Sequence, residues 1–238
     1  MEPMFVNSDR RISVWVQSND LPWLLSPEPG VERRLLERSG GEVATATSIV
    51  RYSAGSRFAE HCHPLGEEFL VLKGVFSDEH GDYPEGTYVR NPPGTRHSPF
   101  SRGGCEILVK LRQMNPDDRG FVCVLPHQTQ WEHTHADGLM RAMLWQDKVS
   151  SVSLERIDPG AKRPACASPG GEEWFLLAGN VQRKGDEGTE GERMFAGTWL
   201  RDPGISQSEL SSEEGALLWV KRGHLGILQP AGEHYERT

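Results

Sequence analysis

The sequence predicts an all-β protein made of two copies of one unit, and three observations carry that prediction. Of 238 residues, 26 are glycine and 16 are proline, too many turn formers for a helical bundle. The apolar residues come in short β-branched or aliphatic runs separated by those turn formers, which is the pattern of strands. The chain also repeats itself at an offset of 105 to 111 residues. Short strands with turn signals between them imply a sandwich or a small barrel.

Along the chain, the segment from Trp23 to Gly30 recurs from Trp131 to Gly138 at offset 108. Residues 31–38 carry the one weak helical signal, enough for a turn or two. The runs 48–52, 69–75, 87–90 and 106–111 read as strands, punctuated by Gly55, Gly74, Gly81, Pro84, Gly86, Pro92 and Gly94. Gly66-Glu67-Glu68-Phe69-Leu70-Val71-Leu72 returns as Gly171-Glu172-Glu173-Trp174-Phe175-Leu176-Leu177 at offset 105. Gly86-Thr87-Tyr88-Val89-Arg90 returns as Gly197-Thr198-Trp199-Leu200-Arg201 at offset 111, and Pro92 and Lys110 keep that offset to Pro203 and Lys221. The drift from 108 to 105 to 111 places a three-residue deletion and a six-residue insertion. The insertion falls in 181–193, rich in Gly and charge, and predicts a surface loop. These matches come in order, so the expected domains are 1–122 and 123–238, each of ordinary domain size.

Composition excludes several function classes. The formal net charge is −8, which argues against nucleic acid or an anionic membrane as a partner. No run approaches the roughly 18 apolar residues of a spanning helix, and the N-terminus lacks the apolar core of a signal peptide. Cys62, Cys105, Cys123 and Cys166 lie far apart, so reduced thiols and a cytoplasmic location are expected.

His61-Cys62-His63 is the sharpest local feature. On a strand, residues i and i+2 share a face, so His61 and His63 can meet one ion while Cys62 points away as an inert buried thiol. Glu67 follows four residues later, and His97 comes after a Pro-Pro-Gly turn. Three imidazoles and one carboxylate suit a divalent transition metal and leave one or two coordination positions for water, dioxygen or an anionic oxygen ligand. Glu68 alternates with Glu67 and is expected to face the other way, solvated or salt-bridged.

Gly55, His61, His63, Glu67 and Gly74, separated by five, one, three and six residues, resemble the first cupin motif. Gly86, Pro92, Gly94 and His97, separated by five, one and two, resemble the second, with Ser101 where that motif usually has Asn. The resemblance implies tandem jelly-roll-like β-barrels, with a metal in the mouth of the first held by His61, His63, Glu67 and His97. Zinc and Fe(II) are the leading candidates, with Mn and Ni compatible. The run from Gly86 to Gln113, with the preceding Phe76 to Pro84, is similar to the ChrR-type branch of cupins. That branch takes its name from the C-terminal domain of an anti-sigma factor responding to singlet oxygen and organic peroxides. Similar domains occur in dioxygenases acting on small ketones.

In the second copy the motif spacing falls on Gly160, Cys166, Ser168, Glu172 and Gly179, and His97 maps to Ser208 with Gln207 beside it. One carboxylate survives of four ligands, so a metal-free partner barrel is expected. His133 and His135 form a second H-x-H, but lie outside both motifs with no Glu at the ligand spacing, and read as loop histidines.

Two functions compete on this sequence. One is a metal-binding sensor or regulatory module, to which the ChrR resemblance leans. The other is an Fe(II)-dependent dioxygenase for a small ketone, diketone or aromatic ketone. A storage or scaffold role is the plainest alternative. No acid–base residue stands out beyond the ligands. Capture of a sigma factor by the usual route is not expected, because no Cys-x-x-Cys and no helical segment precede Trp23. A small-molecule ligand at the first barrel and a homodimer through edge strands complete the expectations carried by the resemblance.

Overall fold

The computed structural model describes residues 4–41, 43–184, 191–204 and 206–226. Two compact units emerge, one built mainly from described residues within 16–131 and the other mainly from those within 132–196 and 200–226. Each is a strand unit, and among the described residues helix is limited to the short 3-10 turns Ser18–Asp20 and Pro126–Gln128.

In the first unit the antiparallel ladder runs Val31–Gly40, Ala44–Tyr52, Cys105–Leu111, Glu67–Asp78 and Tyr88–Asn91. Strand Cys105–Leu111 thus lies between two strands that precede it in sequence, the wrapped connection of a jelly roll. The second unit repeats this order with Leu139–Gln146, Ser151–Ile157, Ala216–Arg222, Glu172–Arg183 and Thr198–Asp202. The register agrees residue for residue: Val31 faces Tyr52 and Arg33 faces Val50, as Leu139 faces Ile157 and Arg141 faces Glu155. Both first ladders carry a bulge, between Leu35 and Glu37 and between Met143 and Trp145, where Leu36 and Leu144 are buried.

Two expectations change. Residues 31–38 form no helical turn, because Val31–Gly40 pairs along its length with Ala44–Tyr52 and buries side chains on both faces. Tertiary pairing overrides a weak local helical signal. The insertion at 181–193 is strand at both ends, since Asn180, Val181 and Gln182 pair with Phe195, Met194 and Arg193. Its residues 185–190 lie outside the described residues.

Each unit has its own core. In the first, Val31, Tyr52, Phe69, Phe76, Ile107 and Val109 pack together, and in the second Leu139, Ile157, Trp174, Leu176, Leu200 and Leu218 do the same. Gly74, which ends the first motif, shows why a glycine stands there. Its φ is +75°, and a Cβ would lie 2.3 Å from the Gly104 carbonyl oxygen. Gly179 repeats this with φ +78° and a contact of 2.0 Å to the Gly215 oxygen.

Candidate metal centre

The ligand candidates come from three strands and, for His63, from the turn between two of them. His61 lies in the short strand His61–Cys62, paired antiparallel with Arg96–His97 so that His61 and His97 face each other directly. His63 follows, its backbone N–H donating to the Thr95 carbonyl at 2.8 Å. Glu67 opens the strand Glu67–Asp78. The donor atoms of His61, His63, Glu67 and His97 all lie within 4.8 Å of one another. The three imidazole centroids are 4.7 to 5.0 Å apart, and Glu67 Oε2 is 3.6 Å from His63 Nε2 and 3.5 Å from His97 Nε2.

Each donor is aimed by a second contact. His61 Nδ1 donates to the Ala59 carbonyl at 3.0 Å. The Thr95 hydroxyl gives its proton to the Pro92 carbonyl at 2.7 Å, so it accepts from His63 Nδ1 at 3.2 Å. His97 Nδ1 donates to Asp78 Oδ2 at 3.2 Å, and Asn91 Nδ2 donates to Glu67 Oε2 at 3.1 Å. The Nδ1 positions are thereby used, which leaves the Nε2 lone pairs pointing inward. His63 Nε2 and His97 Nε2 are buried and have no hydrogen-bond partner. Two buried imidazole nitrogens without a partner, beside a carboxylate, are what a bound divalent cation satisfies, so this donor set fits the metal that the resemblance implies.

The electrostatics differ from one imidazole to the next. Burial, followed by the neighbouring imidazoles, holds His63 below the usual histidine value against the pull of Glu67. Burial also opposes the charged form of His97, but the hydrogen bond to Asp78 and the charges of Glu67 and Asp78 outweigh it and raise the value. Asp78 is clamped in turn: its Oδ1 accepts from the His80 N–H at 2.8 Å, the Tyr83 hydroxyl at 3.1 Å and the Gly81 N–H at 3.2 Å. A cleft of about 200 Å³ opens beside His97, lined by Asp78, His80, Tyr83, Asn91, Arg96 and Phe121 among others.

Sequence reasoning missed Asp78, Asn91 and Thr95, because no fixed spacing ties them to the ligands they orient. Other expectations meet the structure unevenly. Cys62 points away from the ligands but is exposed, not buried, because its two-residue strand has solvent on that side; Cys105 is the buried thiol. Glu68 faces away from Glu67 and takes the salt-bridged alternative, paired with Arg90 while fully buried. It accepts from the Tyr88 hydroxyl at 2.9 Å and from Arg90 at 3.2 Å. Ser101 closes the second motif by donating to the Val75 carbonyl at 2.7 Å. His133 and His135 are exposed, and His133 sits in a two-residue strand.

In the second unit the corresponding positions do something else. Cys166 faces Gln207, not Ser208, so Gln207 stands where His97 does in the first unit. Ser168 donates to the Gly171 carbonyl at 2.7 Å. Glu172 is held by Arg163 and by Arg222, the latter at 2.8 Å. Glu155 accepts from Arg141 and Arg163 at 2.8 Å and from Arg222 at 2.9 Å. Guanidinium groups thus supply the positive charge that a metal would supply beside Glu67.

A family model described as the ChrR cupin-like domain matches residues 12–115 and again 119–226. Among solved structures, a provisionally named dioxygenase from Nostoc punctiforme is 17% identical, with a TM-score of 0.74, covering 100% of this chain and 92% of that one. The protein Ylba from E. coli is 12% identical with a TM-score of 0.71, covering 90% and 92%. An oxalate decarboxylase from Lactobacillus farciminis is 12% identical with a TM-score of 0.63, covering 88% and 86%. These likenesses show a shared fold. No curated protein matches the sequence. Among the described residues no helix is long and apolar enough to cross a membrane. With both copies matched across most of their length, the chain belongs to the ChrR cupin-like family as a tandem of two cupin domains.

Proposed function

We propose that this chain is a single-metal regulatory or sensor bicupin. Domain 1–122 binds one divalent transition metal through His61, His63, Glu67 and His97, and domain 123–238 is its metal-free partner. The observation that carries the reading is the convergence of those four donors around two buried imidazole nitrogens with no partner. A divalent ion held there supplies Lewis acidity and one or two open positions for an oxygen ligand. The protein's own part is to hold the Nδ1–H tautomers, with Nε2 free, through Ala59, Thr95 and Asp78, and to keep Glu67 oriented through Asn91. The cleft of about 200 Å³ beside His97 is below the roughly 300–1,000 Å³ of pockets for drug-sized ligands, so the ligand it supports is a molecule of a few heavy atoms. Zinc is the metal of the sensor reading, and a cytoplasmic homodimer is its setting.

The same cleft favours a second reading, an Fe(II)-dependent dioxygenase acting on a small ketone, diketone or aromatic ketone through the same four residues. The test is to purify the full chain anaerobically and measure bound metal. The protein is then loaded with Fe(II), and oxygen consumption is followed with β-diketones and aromatic ketones. Stoichiometric zinc and no oxygen uptake by the iron-loaded form support the sensor. Turnover abolished by His61→Ala overturns it in favour of the dioxygenase. No metal retained at all overturns both.

A further inference from the structure

The two units share a register but differ in how they treat one interior arginine. Arg141 of the second unit faces Glu155 across the ladder, and its Nε donates to that carboxylate at 2.8 Å. Arg33 occupies the same place in the first unit, and the residue it faces is Val50. Val31 and Leu35, two residues to either side on the strand, are buried, and Val50 packs against the first unit's core. Strand alternation therefore puts Arg33 on the interior face. Among the described residues it has no hydrogen bond, ion pair or ring contact, and burial alone holds it below the usual arginine range.

Arg38 adds to this on the same face. It is 5% exposed and faces Ala46, which pairs with Leu111, which in turn pairs with Glu67. Arg38 is thus level with the metal ligand on the interior ladder. Its guanidinium donates to the Gly41 carbonyl, and it too is held below the usual range, by burial and then by the charge of Arg33. Two guanidinium groups on one interior face, with no carboxylate paired to either among the described residues, mark a place where an anion lowers the energy.

We propose that Arg33, supported by Arg38, forms a carboxylate-binding site inside the first unit. A small carboxylate-bearing molecule takes the position that Glu155 holds beside Arg141 in the second unit. The planar guanidinium and its parallel N–H donors match a carboxylate in the two-pronged geometry that arginine favours. The site names the ligand class for the barrel that the proposed function assigns to small molecules, and it rests on that reading for its role, though not for its binding chemistry.

The test is calorimetric titration of the intact chain with acetate, benzoate, oxalate and inorganic phosphate, in metal-free and zinc-loaded forms. A carboxylate is expected to bind the metal-free form, at least tenfold more weakly after Arg33→Gln, with metal content unchanged by the substitution. Val50→Glu installs the second unit's own pairing and is expected to abolish carboxylate binding in a folded protein, as judged by circular dichroism. Undiminished binding in either variant overturns the proposal, as does tighter binding of phosphate than of every carboxylate. Failure to retain zinc with carboxylate binding intact refutes the metal reading alone.

Discussion

Replacing Glu155 by Gln tests whether the second unit has exchanged a metal for an ion-pair lattice. Glu155 is fully buried and touches three guanidinium groups, those of Arg141, Arg163 and Arg222, at 2.8 to 2.9 Å. Loss of its charge leaves Arg163 and Arg222 facing Glu172 alone and takes away the carboxylate that Arg141 pairs with. Breaking a buried pair by removing one partner costs about 3–5 kcal/mol. For a unit of this size, at about 4 °C per kcal/mol, the second-unit transition should fall by roughly 12–20 °C. Scanning calorimetry of the full chain measures it. The pH dependence gives an independent reading. Burial opposes ionisation of Glu155, but the charges of Arg163 and Arg222 win and hold its pKa far below the ordinary 4.5. A depressed carboxylate contributes its stability above the unfolded value and loses it as pH falls below about 4.5 toward the folded value. The wild-type transition should therefore drop across that acidic window, and the Gln variant should drop less. The contrasting experiment removes the buried members of the lattice, with Glu155→Val, Arg163→Phe, Glu172→Leu and Arg222→Leu together, and leaves the 39% exposed Arg141 side chain to solvent. Val50, Phe58 and Leu111 hold three of those places in the first unit. Apolar replacement of a complete buried network is neutral to stabilising by about 1–4 kcal/mol. A single variant that melts within a degree of wild type would refute the lattice argument.

Two further outcomes follow from the first unit. Asp78→Asn keeps the shape beside His97 but removes the charge that orients its Nδ1–H, so metal affinity measured by chelator competition should fall about 10- to 100-fold; unchanged affinity would show that Asp78 only packs. Thiol labelling of the native chain should modify exposed Cys62 rapidly and leave Cys105 untouched until denaturant is added, because burial pushes the Cys105 thiol up to about 11. Equal labelling rates would contradict the assigned burial.

The sequence by itself determined the strand class, the doubling and the four side chains that the fold brings together. Each of these is written as local spacing: turn formers between apolar runs, a repeated Gly-Glu-Glu segment, and His61, His63, Glu67 and His97 at motif distances. Residues 31–38 show where local reading stops, since a weak helical pattern became a strand only because Ala44–Tyr52 was there to pair with it. Tertiary structure alone decided that Asp78 aims His97, that Cys62 meets solvent and that Gln207, not Ser208, stands opposite Cys166. It also decided the fate of the interior arginines. Arg33 and Arg141 read alike in the chain, and they part only because the strand across the ladder offers Val50 to one and Glu155 to the other. Charge is balanced by neighbours in space, and spacing along the chain does not carry that information.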